Sequence, residues 1–549
     1  MQAEVDFQRL TFEYARSPDQ DAAVPVRHPV VVVGAGPVGL ALAIDLAQRK
    51  VPVVLLDNDN TLSTGSRAIC FAKRTLEIFD RLGCGDAMVA KGVSWSVGKV
   101  FFRDAQIYSF NLLAEGGHAR PAFINLQQYY VEGYLAQRAA QLPLIDLRWS
   151  NKVVGVTQHA DHAVVVVETP EGRYELAADH VAACDGSRSA VRELIGQKTA
   201  GRVFRDRFLI ADVKMKDLDR PAERWFWFDP SFHPNQSVLL HMQPDGVWRI
   251  DFQLGWDADP EVEKRPENII PRVKALLGED AEFELEWASV YTFACQRMAR
   301  FRHGRVLFAG DAAHGVSPFG ARGANSGVQD ADNLAWKLAL VLQGVAPDAL
   351  LDTYADEREY AADENIRHST RSTDFITPKS PISRLFRDAV LDLAREHAFA
   401  RTLVNSGRLS VPATLYGSAL NTPDSAHFDG RMVPGAAADD APVTLADGSD
   451  GWLLRELGDG FTALVFGGDA SLHGAAPPGV ALKTLHVGAC GRAASAGQLI
   501  DRDGVIAERY DLEPGSVVLL RPDQHVCARW RQPSAEAVRH AIERALALH

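Results

Sequence analysis

Residues 28–59 read HPVVVVGAGPVGLALAIDLAQRKVPVVLLDND: an apolar run, a glycine turn, a stretch of helical period and a second apolar run. The order predicts strand, turn, helix and strand, a β-α-β unit. Alternation in DHAVVVVETPEGRYELAADHVAACDGSRSAVR, residues 161–192, predicts a hairpin feeding another strand and a loop. Residues 205–295 are rich in aromatics and alternation, with Pro244-Asp245-Gly246 as a turn between two strands of an antiparallel sheet. From Val328 the pattern is helical to about residue 408. A stretch dense in Gly, Pro, Asp and Ala, 415–442, marks a linker before a last hundred or so residues that alternate short strands with helices.

This pattern divides the chain into an N-terminal extension (1–28), a nucleotide-binding part with interleaved segments of a second domain (29–200), a β-sheet domain (201–296), a second nucleotide-binding part with a helical region (297–414), the linker, and a small α/β domain (443–549). A length of 549 residues carries a prior of two to four domains.

A formal charge of −13 argues against a nucleic-acid surface. Six scattered cysteines form no C-x-x-C pair or Cys/His cluster, so no metal site or disulfide framework is expected. They fit reduced thiols in a cytoplasm. The N-terminus lacks the basic-then-apolar order of a signal peptide. No apolar run approaches the roughly 20 residues that span a bilayer.

Gly34-Ala35-Gly36-Pro37-Val38-Gly39 is a G-x-G-x-x-G between strand and helix. Gly34 permits the turn, Gly36 lets backbone approach a pyrophosphate, and Gly39 lets helix and strand pack closely. Asp57 ends the second strand, where a carboxylate can accept hydrogen bonds from a ribose; a solvated strand-end acid is the competing reading. A second turn, GRVLFAGDAAHGVSPFGARGANSG at 304–327, follows about 270 residues later. A dehydrogenase completes its nucleotide site in one domain, whereas FAD extends past the pyrophosphate through its ribityl chain and ring. One long cofactor would explain two distant turns.

These segments resemble the class A flavoprotein aromatic hydroxylases, including the phenol and 3-(3-hydroxyphenyl)propionate hydroxylase types. GAGPVG (34–39), SRA (66–68), CDGSRSAVR (184–192) and AGDAAHGVSPFGARGAN (309–325) occur in the family's order, and QQYYVEGYL (127–135) resembles its helix that brings a Gln to FAD. The resemblance implies an α/β fold: a Rossmann-like FAD domain of para-hydroxybenzoate hydroxylase type, an antiparallel substrate sheet and a thioredoxin-like C-terminal domain. It also implies that Arg67 contacts the FAD phosphate or ribose region, that Gln128 reaches the FAD, and that Asp185 belongs to a motif for FAD and nicotinamide. Asp311 would bind the ribityl chain, Pro318 would line the substrate side, and the Gly323-Ala324-Asn325 backbone would lie near the ring. Where the family commonly has consecutive glycines, this chain has Ala321 and Arg322. His314 would support Asp311. Cys490 and Cys527 are 37 residues apart, so the tail lacks a dithiol site and would serve packing or a subunit contact, leaving a homodimer open.

The implied reaction is hydroxylation of a phenolic ring: NADH or NADPH reduces FAD, and O2 forms a C4a-hydroperoxide that attacks the ring. A phenol of pKa near 10 is ionised to about one part in a thousand at pH 7, roughly 4 kcal/mol short of phenolate. Strand alternation in GVWRIDFQLG sets Arg249 and Asp251 on one face, with His241 across from them in the preceding strand. These three are candidates for ionising and orienting substrate; a surface Arg249–Asp251 ion pair is the alternative. Trp225 and Trp227 share a face and either wall the pocket or belong to the sheet core. A polyketide-tailoring monooxygenase or epoxidase would carry the same cofactor motifs, and an FAD-binding protein without turnover is a reading from another class.

Overall fold

The computed structural model describes residues 6–63, 68–215, 220–404, 409–468, 472–490 and 498–548. The valine-rich strand Val26–Val33 lies between Val53–Leu56 and the end of Gly172–Ala183, parallel to both. Val306–Phe308 adds in parallel beyond Gly172–Ala183, and Ile145–Arg148 beyond Val53–Leu56. Such strands are buried on both faces, which explains their unbroken apolar runs. Register pairs Val33 with Leu56 and Ala183, and Ala183 with Phe308. Gly34, Asp57, Cys184-Asp185 and Ala309-Gly310-Asp311 therefore leave the sheet along one edge, at the carboxyl ends where open α/β sheets bind ligands. Helix Pro37–Gln48 buries a continuous run from Gly39 to Ala47 because helices Gln128–Ala140 and Gly323–Leu342 pack on it.

The second sheet has seven strands, in the order Glu284–Tyr291, Arg207–Lys214, Val247–Leu254, Ser237–Met242, Arg224–Phe228, Val97–Phe102 and Ala105–Asn111. Residues 97–111 thus come from within the first nucleotide-binding stretch. On one face Leu209, Trp227, Leu240, Trp248 and Ile250 pack with Ile269 and Val273 of helix Pro266–Leu277. On the other, Phe208, Phe226, Phe228 and Leu239 pack with Phe319, which follows the second glycine turn.

The tail forms another seven-stranded sheet, parallel at its centre and antiparallel at its edges, flanked by helices Val505–Tyr510 and Ala535–Ala545. It shares a core with helix Gly323–Leu342 through Trp336, Phe461 and Ile542. Residues 415–441 form no helix or strand, yet Leu415, Leu420, Met432 and Ala436 are buried. A buried ionic cluster pins the tail to the rest: Glu357 accepts from Lys337 at 2.7 Å and Arg521 at 2.6 Å, and Asp523 accepts from Arg521 at 2.6 Å and Asn333 at 3.1 Å. Among the described residues no helix is long and apolar enough to cross a membrane.

Candidate functional site

Gly34 has φ +102°, and a Cβ there would lie 2.5 Å from the Cys184 carbonyl oxygen. A Cβ on Gly39 would sit 1.9 Å from the Gly34 oxygen. At Gly36, by contrast, nothing among the described residues approaches the Cβ position within 4 Å. Pro37 opens the helix with its φ preset, and among the described residues no side chain caps the helix N-terminus. Open space before uncapped N–H groups fits a pyrophosphate. Asp57 accepts from the N–H of Ala35 at 2.6 Å and of Asp59 at 2.8 Å, tying the turn to the strand end, while burial raises its pKa. Asp185 accepts from the Val191 N–H at 3.0 Å, and its Oδ1 is buried with no partner among the described residues. That orphaned oxygen also fits a polar ligand beside the turn.

The second turn docks on the first. Gly310 has φ +62°, and a Cβ on Gly310 or Gly327 would lie 2.9 or 2.7 Å from Val38 Cγ2. Beneath it, buried Asp330 accepts from the Gly310 N–H at 2.9 Å, His314 Nε2 at 2.7 Å and Arg358 Nε at 2.7 Å. His314 is thereby part of the support beneath the turn. Asp311 is exposed at the mouth, with its Oδ1 4.0 Å from the Cβ position of Gly323. Pro318 is exposed and opens the short helix Pro318–Gly320. Ala321 takes the left-handed conformation (φ 50°, ψ 39°), which costs a non-glycine residue about 1–2 kcal/mol. Arg322 is buried, folded over Gly320. Asn325 locks the loop: its Oδ1 accepts from the Ala72 N–H at 2.8 Å, and its Nδ2 donates to the carbonyls of Cys70 at 2.8 Å and Ala321 at 2.6 Å. Ala324 is half-buried against the nucleotide-domain core. Gln128 accepts from the Ala68 N–H at 3.2 Å and donates to Ser63 and Glu132. Arg67 and Ser66 lie outside the described residues.

On the second sheet, His241 pairs with Arg249, and Arg249 with Asp212. Arg249 donates to both Asp212 oxygens, at 2.8 and 2.6 Å, in a buried pair; the alternative of a surface Arg249–Asp251 pair does not form. Asp251 instead lies beside Tyr291, and burial pushes its carboxyl up to about 6 against the pull of Arg249. Burial, with Arg224 and Arg249 nearby, pushes His241 well below its usual range, so it is neutral; its Nδ1 is buried without a partner among the described residues. Arg224 donates to the Phe319 carbonyl at 3.2 Å, linking this face to the loop behind Pro318.

The structure does not bring Trp225 and Trp227 to this face. Strand period sends both to the opposite side, where Trp227 packs with Leu240 and Ile250, and Trp225 lies against the same layer and beside Phe101. They belong to the sheet core, because sharing a face does not say which face it is. Asp212, Arg224, Tyr291 and Asp330 escaped the sequence reading. The period that joined Arg249 and Asp251 also puts Arg224 opposite the two tryptophans.

The family model described as FAD binding domain matches residues 27–369. The 3-(3-hydroxy-phenyl)propionate/3-hydroxycinnamic acid hydroxylase of Escherichia coli (strain K12) is 30% identical over 458 residues, 81% of each chain. The crystal structure of p-nitrophenol 4-monooxygenase PnpA from Pseudomonas putida DLL-E4 is 28% identical, with TM-score 0.62, over 70% of this chain and 100% of that one. The flavin-dependent monooxygenase PieE, crystallised with FAD and substrate, shares the fold at TM-score 0.83 and 22% identity, over 96% of this chain and 100% of its own.

Proposed function

The chain belongs to the FAD-binding hydroxylase family, and from that premise we propose that this flavin-dependent monooxygenase hydroxylates a phenolic ring, using NADH or NADPH and O2. Once bound, the flavin would supply the redox chemistry that couples oxidation of the nicotinamide and reduction of O2 to the insertion of one oxygen atom into the ring, the other leaving as water. Gly34, Gly36, Pro37 and Gly39 would hold the pyrophosphate, with Asp57 and Arg67 toward the ribose and phosphate. Gln128 and Asp185 would flank the middle of the cofactor. Asp311 would take the ribityl hydroxyls, and the Gly323-Ala324-Asn325 backbone would face the ring.

The single observation that carries the phenol reading is Asp251, a buried carboxyl with a pKa near 6 on the face that reaches the Pro318 loop through Arg224 and Phe319. At pH 7 its oxygens are ready to accept the phenol's proton, a match of pKa to task expected of a general base. Arg249, fixed by Asp212, and neutral His241 orient the oxygen so exposed. Pro318 would line the pocket on the cofactor side, and the aromatic layer of Phe226 and Phe319 excludes water from the ring.

The reading extends to a cytoplasmic setting, supported by six free cysteines, and to no nucleic-acid partner, supported by the charge of −13. A homodimer is supported by helix Pro381–Ala394, which leaves Ile382, Leu385 and Phe386 exposed; sedimentation tests it. The functional test is anaerobic. Flavin reduction by NADH and NADPH is timed with and without a panel of phenols, and strong acceleration by one phenol is expected. Equal rates without any phenol would sink the reading.

A further inference from the structure

Ahead of the segment that the FAD-binding family model matches, 27–369, residues 6–25 run across the nucleotide domain and are anchored to it by Phe7, Phe12 and Asp19. The Phe7 ring is 4% exposed and lies on helix Gln128–Ala140, edge-on to Tyr130 and Tyr134 with centroids 5.9 and 5.3 Å away. The helix makes room for it: a Cβ on Gly133 would come within 2.4 Å of that ring, and its three nearest atoms all belong to Phe7. Glycine weakens a helix interior relative to alanine, so one placed there calls for a packing reason, which Phe7 supplies. Phe12 stacks on Trp149 at 4.2 Å and 7°. Asp19 accepts from Arg148 at 2.5 Å and lies 2.9 Å from His28 Nε2.

Between Phe7 and Phe12 the extension meets the loop of residues 57–63. Thr11 forms an antiparallel bridge with Thr61, and the Phe12 N–H donates to the Asn60 carbonyl at 2.8 Å. Trp149, under Phe12, stands between Arg148, whose carbonyl accepts from the Asp57 N–H, and Ser150, whose N–H donates to the Asp59 carbonyl, both at 3.0 Å. The loop starts at Asp57 and ends at Ser63, whose N–H and Oγ both donate to buried Glu132 at 2.7 Å. Glu132 also accepts from Gln128 at 2.8 Å. Asn58, Asp59 and Asn60 are exposed, and an exposed polar loop opens readily unless another segment clips it.

Resting on the cofactor placement above, in which Asp57 faces the ribose and Gln128 the middle of FAD, we propose that residues 7–12 form a clasp that holds the 57–63 loop in its cofactor-binding shape, with Phe7 and Phe12 as its positioning residues. Neither ring has to touch FAD. A loop ordered beforehand loses less freedom when the ligand arrives, and the gain shows mainly as slower release. The clasp joins the loop to the helix that carries Gln128, so the two parts of the site keep their spacing when the cofactor leaves.

The test titrates full-length apoprotein with FAD by flavin fluorescence and times release after dilution of the loaded protein. F7A, F12A and G133A are each expected to speed release by about tenfold, roughly the ordering of one or two side chains. G133A drives a methyl into the Phe7 ring while giving the helix a better helix former, so its effect is not one of lost helix stability. F12Y keeps the stacked ring and should match wild type. The melting temperature of each apoprotein should move less than that of its FAD-loaded form. Unchanged release in F12A and G133A overturns the proposal, and so do equal losses of melting temperature with and without FAD, the mark of a brace for the fold alone. Phe12 is only half-buried, so F12A serves where F7A does not fold. D57N separates the clasp from the placement it rests on. If D57N weakens FAD binding and the clasp variants do not, the clasp alone falls; if the clasp variants speed release and D57N leaves binding unchanged, the clasp stands and Asp57 is removed from the ribose site.

Discussion

Arg249 bonds Asp212 through two nitrogens, at 2.8 and 2.6 Å, and makes no hydrogen bond to Asp251, two residues along its own strand. That choice leaves Asp251 close enough to a cation to ionise near neutrality and free enough to take a proton.

Because the Asp251 carboxyl lies at about 6, kcat/KM is expected to fall about tenfold per unit as pH drops below that value, and to level off above it. D251N should lose this limb together with a factor of about 100 or more in kcat. A pH–rate profile of both proteins checks the prediction, and a wild-type profile flat from pH 5 to 7 would count against it.

The same group affects stability in the opposite sense. Its folded pKa is raised above the unfolded value, so its contribution is present below about pH 4 and lost as pH rises through about 6, a cost of roughly 3 kcal/mol at pH 7. Denaturant unfolding at pH 7 should therefore show D251N to be the more stable protein.

Two glycines of the first turn should separate folding from cofactor binding. G36A adds a methyl where none of the described residues lies within 4 Å, so the apoprotein should fold with an unchanged melting temperature while FAD affinity falls more than about tenfold. G39A drives a methyl to 1.9 Å from a backbone oxygen and should not yield a folded protein. Circular dichroism and flavin titration distinguish them.

Asp330 anchors the second turn through Gly310, His314 and Arg358. D330A leaves a buried guanidinium without its acid and should cost about 3–5 kcal/mol, with FAD lost on purification. Retention of stoichiometric FAD would argue against it.

In the cluster that pins the tail, E357Q strands buried Lys337 and leaves buried Arg521 with Asp523 as its remaining acid, and should destabilise by about 3–5 kcal/mol. Burial already pushes Lys337 down to about 8, so K337M should be far milder. Urea unfolding of the two variants gives the comparison.

What the sequence made legible was what lies within one segment. The G-x-G-x-x-G, the strand period that joins Arg249 to Asp251, and the two turns all follow from local spacing. The family follows from four motifs in order, and the fold with it. The pairings between strands were hidden: Asp212 meets Arg249 only through sheet register, and Asp330 lies 20 residues beyond the glycine whose N–H it holds. The two tryptophans show the limit most clearly, since period 2 relates neighbours to one another and leaves their side of the sheet to tertiary packing.

Val38 touches the positions of Gly310 and Gly327, though about 270 residues separate them. During synthesis, at 5–20 residues per second, the first turn therefore leaves the ribosome well before its counterpart exists. Closing so long a loop is an entropic cost that non-local contacts repay only late in folding. Flavin uptake in a nascent chain should thus mark emergence of residue 327 and not of residue 39, which makes yellow colour a clock for assembly.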